Sequence, residues 1–238
     1  MSANFGVPPN RLLAALPASE YERLAPHLQL VSLSLNQVLY EPNGPIKYVY
    51  FPNHSMVSLV SIMEDGSTIE VGLVGSEGMV GVPVILGGNI TTTKAFVQVS
   101  GSALRMDADL LKSEFNRGGQ LQILLLRYTQ ALLTQVSQSV ACNRFHTIEE
   151  RLARWMLLVG DAVKSDEFML TQEFISQMLG TRRSGVTVAA GTLSQAGMLR
   201  YSRGKITILN REALQATSCE CYGVIKDEFT RLLSNPFR

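Results

Sequence analysis

Two apolar stripes, each spaced by threes and fours and separated by a lone glycine, constrain this chain more than any other feature. They lie in LTQEFISQMLGTRRSGVTVAAGTL, Leu170 to Leu193. In the first, Ile175, Met178 and Leu179 fall on one face of a helix. Thr171 stands where its hydroxyl can accept from an unpaired backbone N–H, and Glu173 in the first turn suits the positive end of the helix dipole. Gly180 can adopt positive φ without a Cβ penalty, so one helix can stop and another start at once, with Thr181 as the expected cap. Ser176 is small where the two helices must approach closely. Val186, Ala189 and Leu193 form the second stripe, which turns Arg182, Arg183, Ser184, Thr187 and Val188 outward near the N-terminal end of their helix. Two short helices in this arrangement are the layout of a helix-turn-helix, whose second helix lies in the major groove of DNA.

The next stretch of chain supports that reading. GMLRYSRGKITILN, Gly197 to Asn210, reads as a strand, a turn at Arg203-Gly204-Lys205 and a second strand with alternating apolar positions. A hairpin placed after a helix-turn-helix is a wing. From Thr171 to Lys205 the cations Arg182, Arg183, Arg200, Arg203 and Lys205 face the single acid Glu173, about four net positive charges in a chain whose formal charge is +1. Phosphate contacts need a basic patch rather than a basic protein.

A winged helix-turn-helix, preceded by NRFHTIEERLARWMLL (Asn143 to Leu158) and a β-rich N-terminal half, resembles the Crp/Fnr family of bacterial transcription regulators over roughly Leu12 to Leu233. The resemblance implies an α+β chain: a double-stranded β-roll of the cyclic-nucleotide-binding type over residues 1–118, a dimerisation helix and hinge over 119–146, and a winged helix-turn-helix domain over 147–238. It implies a homodimer on a pseudo-palindromic double-stranded DNA site, with RNA polymerase as a further partner. Arg183 occupies the place of the family's guanine-reading arginine. Ser184 stands where a base-reading glutamate occurs, and Val188 replaces a second base-reading arginine. Thr171, Arg182, Thr187, Arg203 and Lys205 complete the expected DNA-contacting set, with Arg182, Arg203 and Lys205 on phosphates.

The 238 residues suit two domains of about 100 to 150 residues each. No apolar run approaches the roughly 20 residues that span a bilayer, and MSANFGVPPNRLLAALP lacks the plan of a secretion signal, so no membrane contact and a cytoplasmic location are expected. Arg11 to Leu16 and Ser19 to Ala25 read as short helices, the second capped by Ser19. VSLSL, QVLYE, YVYF, MVSLVSIM, TIEVGLV, AFVQVS and SALRMD then read as strands between Leu30 and Asp107. A short helix follows over Asp109 to Asn116, and a long one over Gln120 to Cys142 carries Ile123, Leu126, Leu133, Val136 and Val140 on one face. Such a seam calls for a partner helix. Thr147 and Glu150 form a capping box that starts a new helix, with Leu152, Trp155, Met156 and Val159 inward, leaving Asn143 to His146 as hinge and Lys164 to Asp166 as loop. Arg211 to Thr217 and Glu220 to Leu233 close the chain as helices.

The sensor is the less readable half. By resemblance, a cyclic AMP pocket has a Gly-Glu pair for the ribose and an Arg-Ser pair for the phosphate. This chain keeps Glu77 and Gly78, but Thr93 and Lys94 stand at the Arg-Ser positions and Ser137 falls at the adenine contact. A lysine lacks arginine's bidentate fork, so cyclic AMP is not the expected ligand. An iron–sulfur cluster of the family's kind would need an N-terminal cysteine group, and haem would need axial ligands; His27, His54 and His146 lie in separate segments. The three cysteines, Cys142, Cys219 and Cys221, do not have zinc spacing and read as small buried residues, so no metal is expected. A cupin-like enzyme would need several His and carboxylates on neighbouring strands, where only His54 is found, and catalysis is not expected. A cyclic-nucleotide module acting on a protein partner would leave the basic helix and wing without a purpose.

Overall fold

The structure is a computed structural model that describes residues 8–202 and 204–233. Two short helices open it, α1 (Arg11–Ala14) and α2 (Ala18–Leu24). The Asn10 side chain caps α1 by accepting from Leu13 N, and its amide donates to Pro52 O and Gly78 O, which pins the helix to the sheet domain. α2 begins one residue before Ser19: Pro17 holds the cap position, its ring having fixed φ in advance, and Ser19 lies inside the first turn.

All seven strands read from the sequence are present: β1 (Gln29–Leu33), β2 (Val38–Tyr40), β3 (Tyr48–Pro52), β4 (Met56–Ile62), β5 (Thr68–Val74), β6 (Lys94–Val99) and β7 (Gly101–Asp107). They form two antiparallel sheets in the orders β1-β7-β3 and β2-β6-β4-β5. Inward residues of both sheets, among them Val49, Phe51, Val57, Val97 and Met106, make one core. Asp107 caps α3 (Ala108–Asn116), and its carboxylate accepts from Asp109 N and Leu110 N.

Next comes α4 (Gln120–Phe145). Its first turn has no cap of its own; the Glu20 carboxylate of α2 accepts from Gln120 N at 2.9 Å and Leu121 N at 2.7 Å, placing an acid on the positive end of the longest helix. Leu121, Leu124, Leu125 and Tyr128 close the β-roll core from above. The helix runs three residues past Cys142. Nothing in Asn143 to Phe145 breaks it, so the expected four-residue hinge contracts to His146, the C-cap, immediately before the Thr147–Glu150 capping box.

α5 (Ile148–Val163) leads to β8 (Glu167–Met169), α6 (Gln172–Met178), α7 (Arg183–Gln195), β9 (Leu199–Ser202), β10 (Lys205–Ile208), α8 (Arg211–Thr217) and α9 (Cys221–Leu233). The wing has three strands, in the order β8-β10-β9, where the sequence predicts two. A second core unites α5, the helix-turn-helix and the wing with Met56, Val60 and Leu73 of β4 and β5. The sheet domain and the C-terminal half therefore share apolar surface. α9 packs along α4, with Phe229 edge-on to Tyr128 at 6.3 Å. Among the described residues, no helix is long and apolar enough to cross a membrane.

Candidate nucleic-acid interface and sensor site

The sequence of α6 and α7 places each exposed residue. Thr171 Oγ1 accepts from Phe174 N at 3.1 Å, as a cap should. Ser176 is buried, and its hydroxyl donates to Glu173 O, so the small polar residue satisfies itself within its own helix. Gly180 has φ of 56°, and a Cβ there would sit 2.7 Å from Ile69 Cδ1 of β5. The turn thus favours glycine for its backbone angle, and a side chain there would push the end of Ile69 aside. Arg182, rather than Thr181, is the N-cap of α7, and it makes no side-chain cap bond. The first turn of α7 has no acid, so its positive end faces outward beside Arg182 and Arg183.

Arg182, Arg183, Ser184, Thr187 and Val188 are all exposed or half-buried at the surface, and Val186, Ala189 and Leu193 are buried, as the stripe requires. The Thr187 hydroxyl lies 2.8 Å from Gln172 Oε1 and 3.0 Å from Arg183 O, so its single proton is engaged and its lone pairs remain to accept. Val188 is 64% exposed, an apolar side chain held in water. In the wing, Tyr201 donates to Leu170 O and ties β9 to the start of the helix-turn-helix. Lys205 lies in β10, and its Nζ pairs with Glu167 Oε2 of β8 at 2.8 Å. Glu167 precedes the basic stretch from Thr171 to Lys205, so the charge balance of that stretch does not reveal the partner of Lys205. Arg200 is exposed on β9. Arg203 lies outside the described residues.

The sensor candidates Glu77, Gly78, Thr93 and Lys94 each have partners of their own. Glu77 is half-buried, and its carboxylate accepts from Gly75 N; desolvation raises that carboxyl above its ordinary range. It lines a cleft of about 630 Å³ with Arg11, Leu73, Asp161, Lys226 and Phe229, between the sheet domain and the C-terminal helices. Gly78 is covered by Tyr128, whose hydroxyl would lie 2.5 Å from a Cβ at that position and donates to Met79 O. Thr93 sits with its hydroxyl 3.1 Å from that of Thr91, and Lys94 pairs with Glu41 at 3.2 Å. Ser137 is exposed on α4.

Two groupings are invisible to spacing arguments. Trp155 Nε1 donates at 2.7 Å to Glu70 Oε1, joining α5 to β5, and Ser58 donates to Glu70 Oε2 at 2.6 Å. Cys142, His146, Cys219 and Cys221 bring one ligand atom each to within 4.8 Å of one another. The cysteines are buried, as the sequence predicts, but Cys142 is not remote from the other two: its sulfur is 3.5 Å from that of Cys219 across 77 residues of chain.

Two family models match the chain in the order that the fold displays. A cyclic nucleotide-binding domain covers residues 30–117 and a Crp-like helix-turn-helix domain covers 150–217. The chain belongs to the Crp/Fnr family of transcription regulators. This Crp/Fnr protein is 22% identical over 212 residues to the global nitrogen regulator of Synechocystis sp., covering 83% of this chain and 93% of the relative. Its fold matches FixK2 of Bradyrhizobium japonicum at a TM-score of 0.69 and 18% identity, over 81% of this chain and 98% of the other. A CRP-family regulator of Thermus thermophilus matches at 0.66 and 15%, over 79% and 96%. At these identities the solved structures establish the fold of the Crp/Fnr protein and leave its ligand to its own residues.

Proposed function

We propose that the protein is a homodimer that reads a pseudo-palindromic DNA site with the outer face of α7, through a β-roll that does not take cyclic AMP as its signal. Residues 1–118 form the sensor, 119–146 the dimerisation helix and hinge, and 147–238 the reader. The observation that carries the reading is the polarity of α7: an acid-free, outward N-terminal turn bearing Arg182 and Arg183 above a fully buried apolar stripe. Family resemblance supports RNA polymerase as a further partner and the cytoplasm as the location.

Arg183 reads a guanine with its two-pronged fork, on O6 and N7, and Val188 offers an apolar surface for a thymine methyl. Ser184 and Thr187 contribute hydroxyls nearby. Thr171, Arg182, Arg203 and Lys205 hold phosphates and set the register. Binding selections on randomised half-sites test this: Arg183→Ala should lose about 1 to 3 kcal/mol on the preferred site and flatten base preference at one position per half-site. An unchanged preference would sink the assignment.

Against cyclic AMP stand the pairing of Lys94 with Glu41 and the packing of Tyr128 on Gly78. A cyclic phosphate would have to break the only ion pair of that lysine among the described residues and would gain no guanidinium in return. Calorimetry with cyclic AMP should give no heat of binding at micromolar concentrations, and tight binding that also strengthened DNA binding would overturn this part of the proposal.

A further inference from the structure

The geometry points to a metal site that the linear sequence conceals: Cys142, His146, Cys219 and Cys221 form a Cys₃His set for one zinc ion, joining the end of α4 to the start of α9. Cys142 and His146 are four residues apart at the end of the helix, so they share a face. Cys219 and Cys221 flank the start of α9, with Glu220 between them. The Cys142 and Cys219 sulfurs are 3.5 Å apart, and Cys221 Sγ is 3.7 Å from His146 Nδ1. A tetrahedral ion with zinc–sulfur bonds of about 2.3 Å has ligand-to-ligand edges of about 3.7 Å. The four ligand atoms, all within 4.8 Å, therefore match the edges of one small tetrahedron. A [4Fe–4S] cluster binds each ligand to a different iron and needs its ligands farther apart.

The surroundings are those of a ligand set rather than of packed thiols. His146 turns Nδ1 toward the sulfurs and holds Glu220 Oε2 with Nε2 at 3.1 Å, the carboxylate–histidine pairing that fixes the tautomer and orientation of a metal-bound imidazole. Three thiolates and a divalent ion leave one net negative charge. Arg154, buried beside them with its Nε lacking a hydrogen-bond partner, supplies the compensating positive one. Arg151 ties α5 to the end of α4 by donating to the Asn143 side chain at Oδ1, at 2.8 Å. Binding displaces the thiol protons to solvent and changes no oxidation state.

Cobalt(II) titration of the reduced, metal-stripped full-length protein tests the site. One Co²⁺ per chain should bind, with the visible bands of a tetrahedral ion and thiolate-to-metal charge transfer, and Zn²⁺ should displace it. Cys219→Ser should abolish the charge-transfer signature of the complete set and weaken binding at least about 100-fold. His146→Cys should retain the ion with stronger charge transfer. Glu220→Gln alters only an exposed carboxylate, so it leaves the fold intact, and should weaken binding about 10-fold by releasing the imidazole. Substoichiometric Co²⁺ uptake by the folded wild type, or unchanged affinity in both Cys219→Ser and Glu220→Gln, would overturn the proposal.

Discussion

Glu70 joins the sheet domain to the C-terminal half. Its carboxylate sits between Ser58 of β4 and Trp155 of α5, and burial pushes it up to about 7 from an ordinary 4.5, against the lowering effect of its two donors and of Arg154. Between those two values the native protein keeps a proton that the unfolded chain has released. The contribution of Glu70 to stability is thus fully present below about 4.5 and is lost as pH rises through about 7. Stability should fall across that interval, and Glu70→Gln should remove this part of the slope. Trp155 is the only tryptophan of the chain, so its fluorescence in denaturant melts at several pH values reports on this contact directly. Identical slopes for the two proteins would refute the assignment. Nothing in the sequence flags Glu70, because alternation in TIEVGLV reads the strand and leaves the partner across 85 residues unspecified.

The wing is the element whose structure most changes its sequence reading. The sequence sends Lys205 to a phosphate, yet in the free protein Glu167 holds it, and that lysine in turn keeps the Glu167 carboxyl below its ordinary range. DNA must therefore compete with β8 for Lys205. Glu167→Gln should tighten binding to any DNA sequence and steepen the salt dependence by about one unit of slope, while thermal stability barely moves because an exposed ion pair contributes little. Lys205→Ala should do the reverse. Filter binding at several salt concentrations separates the two, and equal slopes for Glu167→Gln and wild type would count against the competition. β8 is illegible in the sequence because three residues, EFM, offer no period to read, and the strand exists only through its register with β10. The helix-turn-helix is legible for the opposite reason: buried stripe, cap and positive-φ glycine all lie within one local stretch, and each needs a particular residue type. The cap of α7 falls one position beyond Thr181, because turn geometry rather than side-chain preference decides which residue is last before the helix.

At the scale of the whole molecule, local patterns yield the elements and the family, while features assembled from distant segments stay hidden: the Glu70–Trp155 contact, the shared second core and the Cys₃His set. The long helix joins both classes, since its apolar excess is visible but its use depends on what covers each face. α9 and the β-roll occupy two sides of α4. Ile123, Leu126, Gln130, Leu133, Ser137 and Val140 are all exposed, at successive spacings of three, four, three, four and three. That rhythm is the spacing of a coiled-coil seam, with Ser137 falling between Leu133 and Val140. A second copy of α4 related by a two-fold axis would bury the seam and hold the two α7 helices about one turn of DNA, roughly 34 Å, apart. Leu133 is 64% exposed in the single chain, so Leu133→Asp should leave the monomer folded and introduce a charge only into the pair. Sedimentation should then show a folded monomer, and affinity for a two-half-site operator should drop toward that for one half-site. A Leu133→Asp protein that remained dimeric would place the subunit contact elsewhere, and with it the spacing between half-sites that this fold can read.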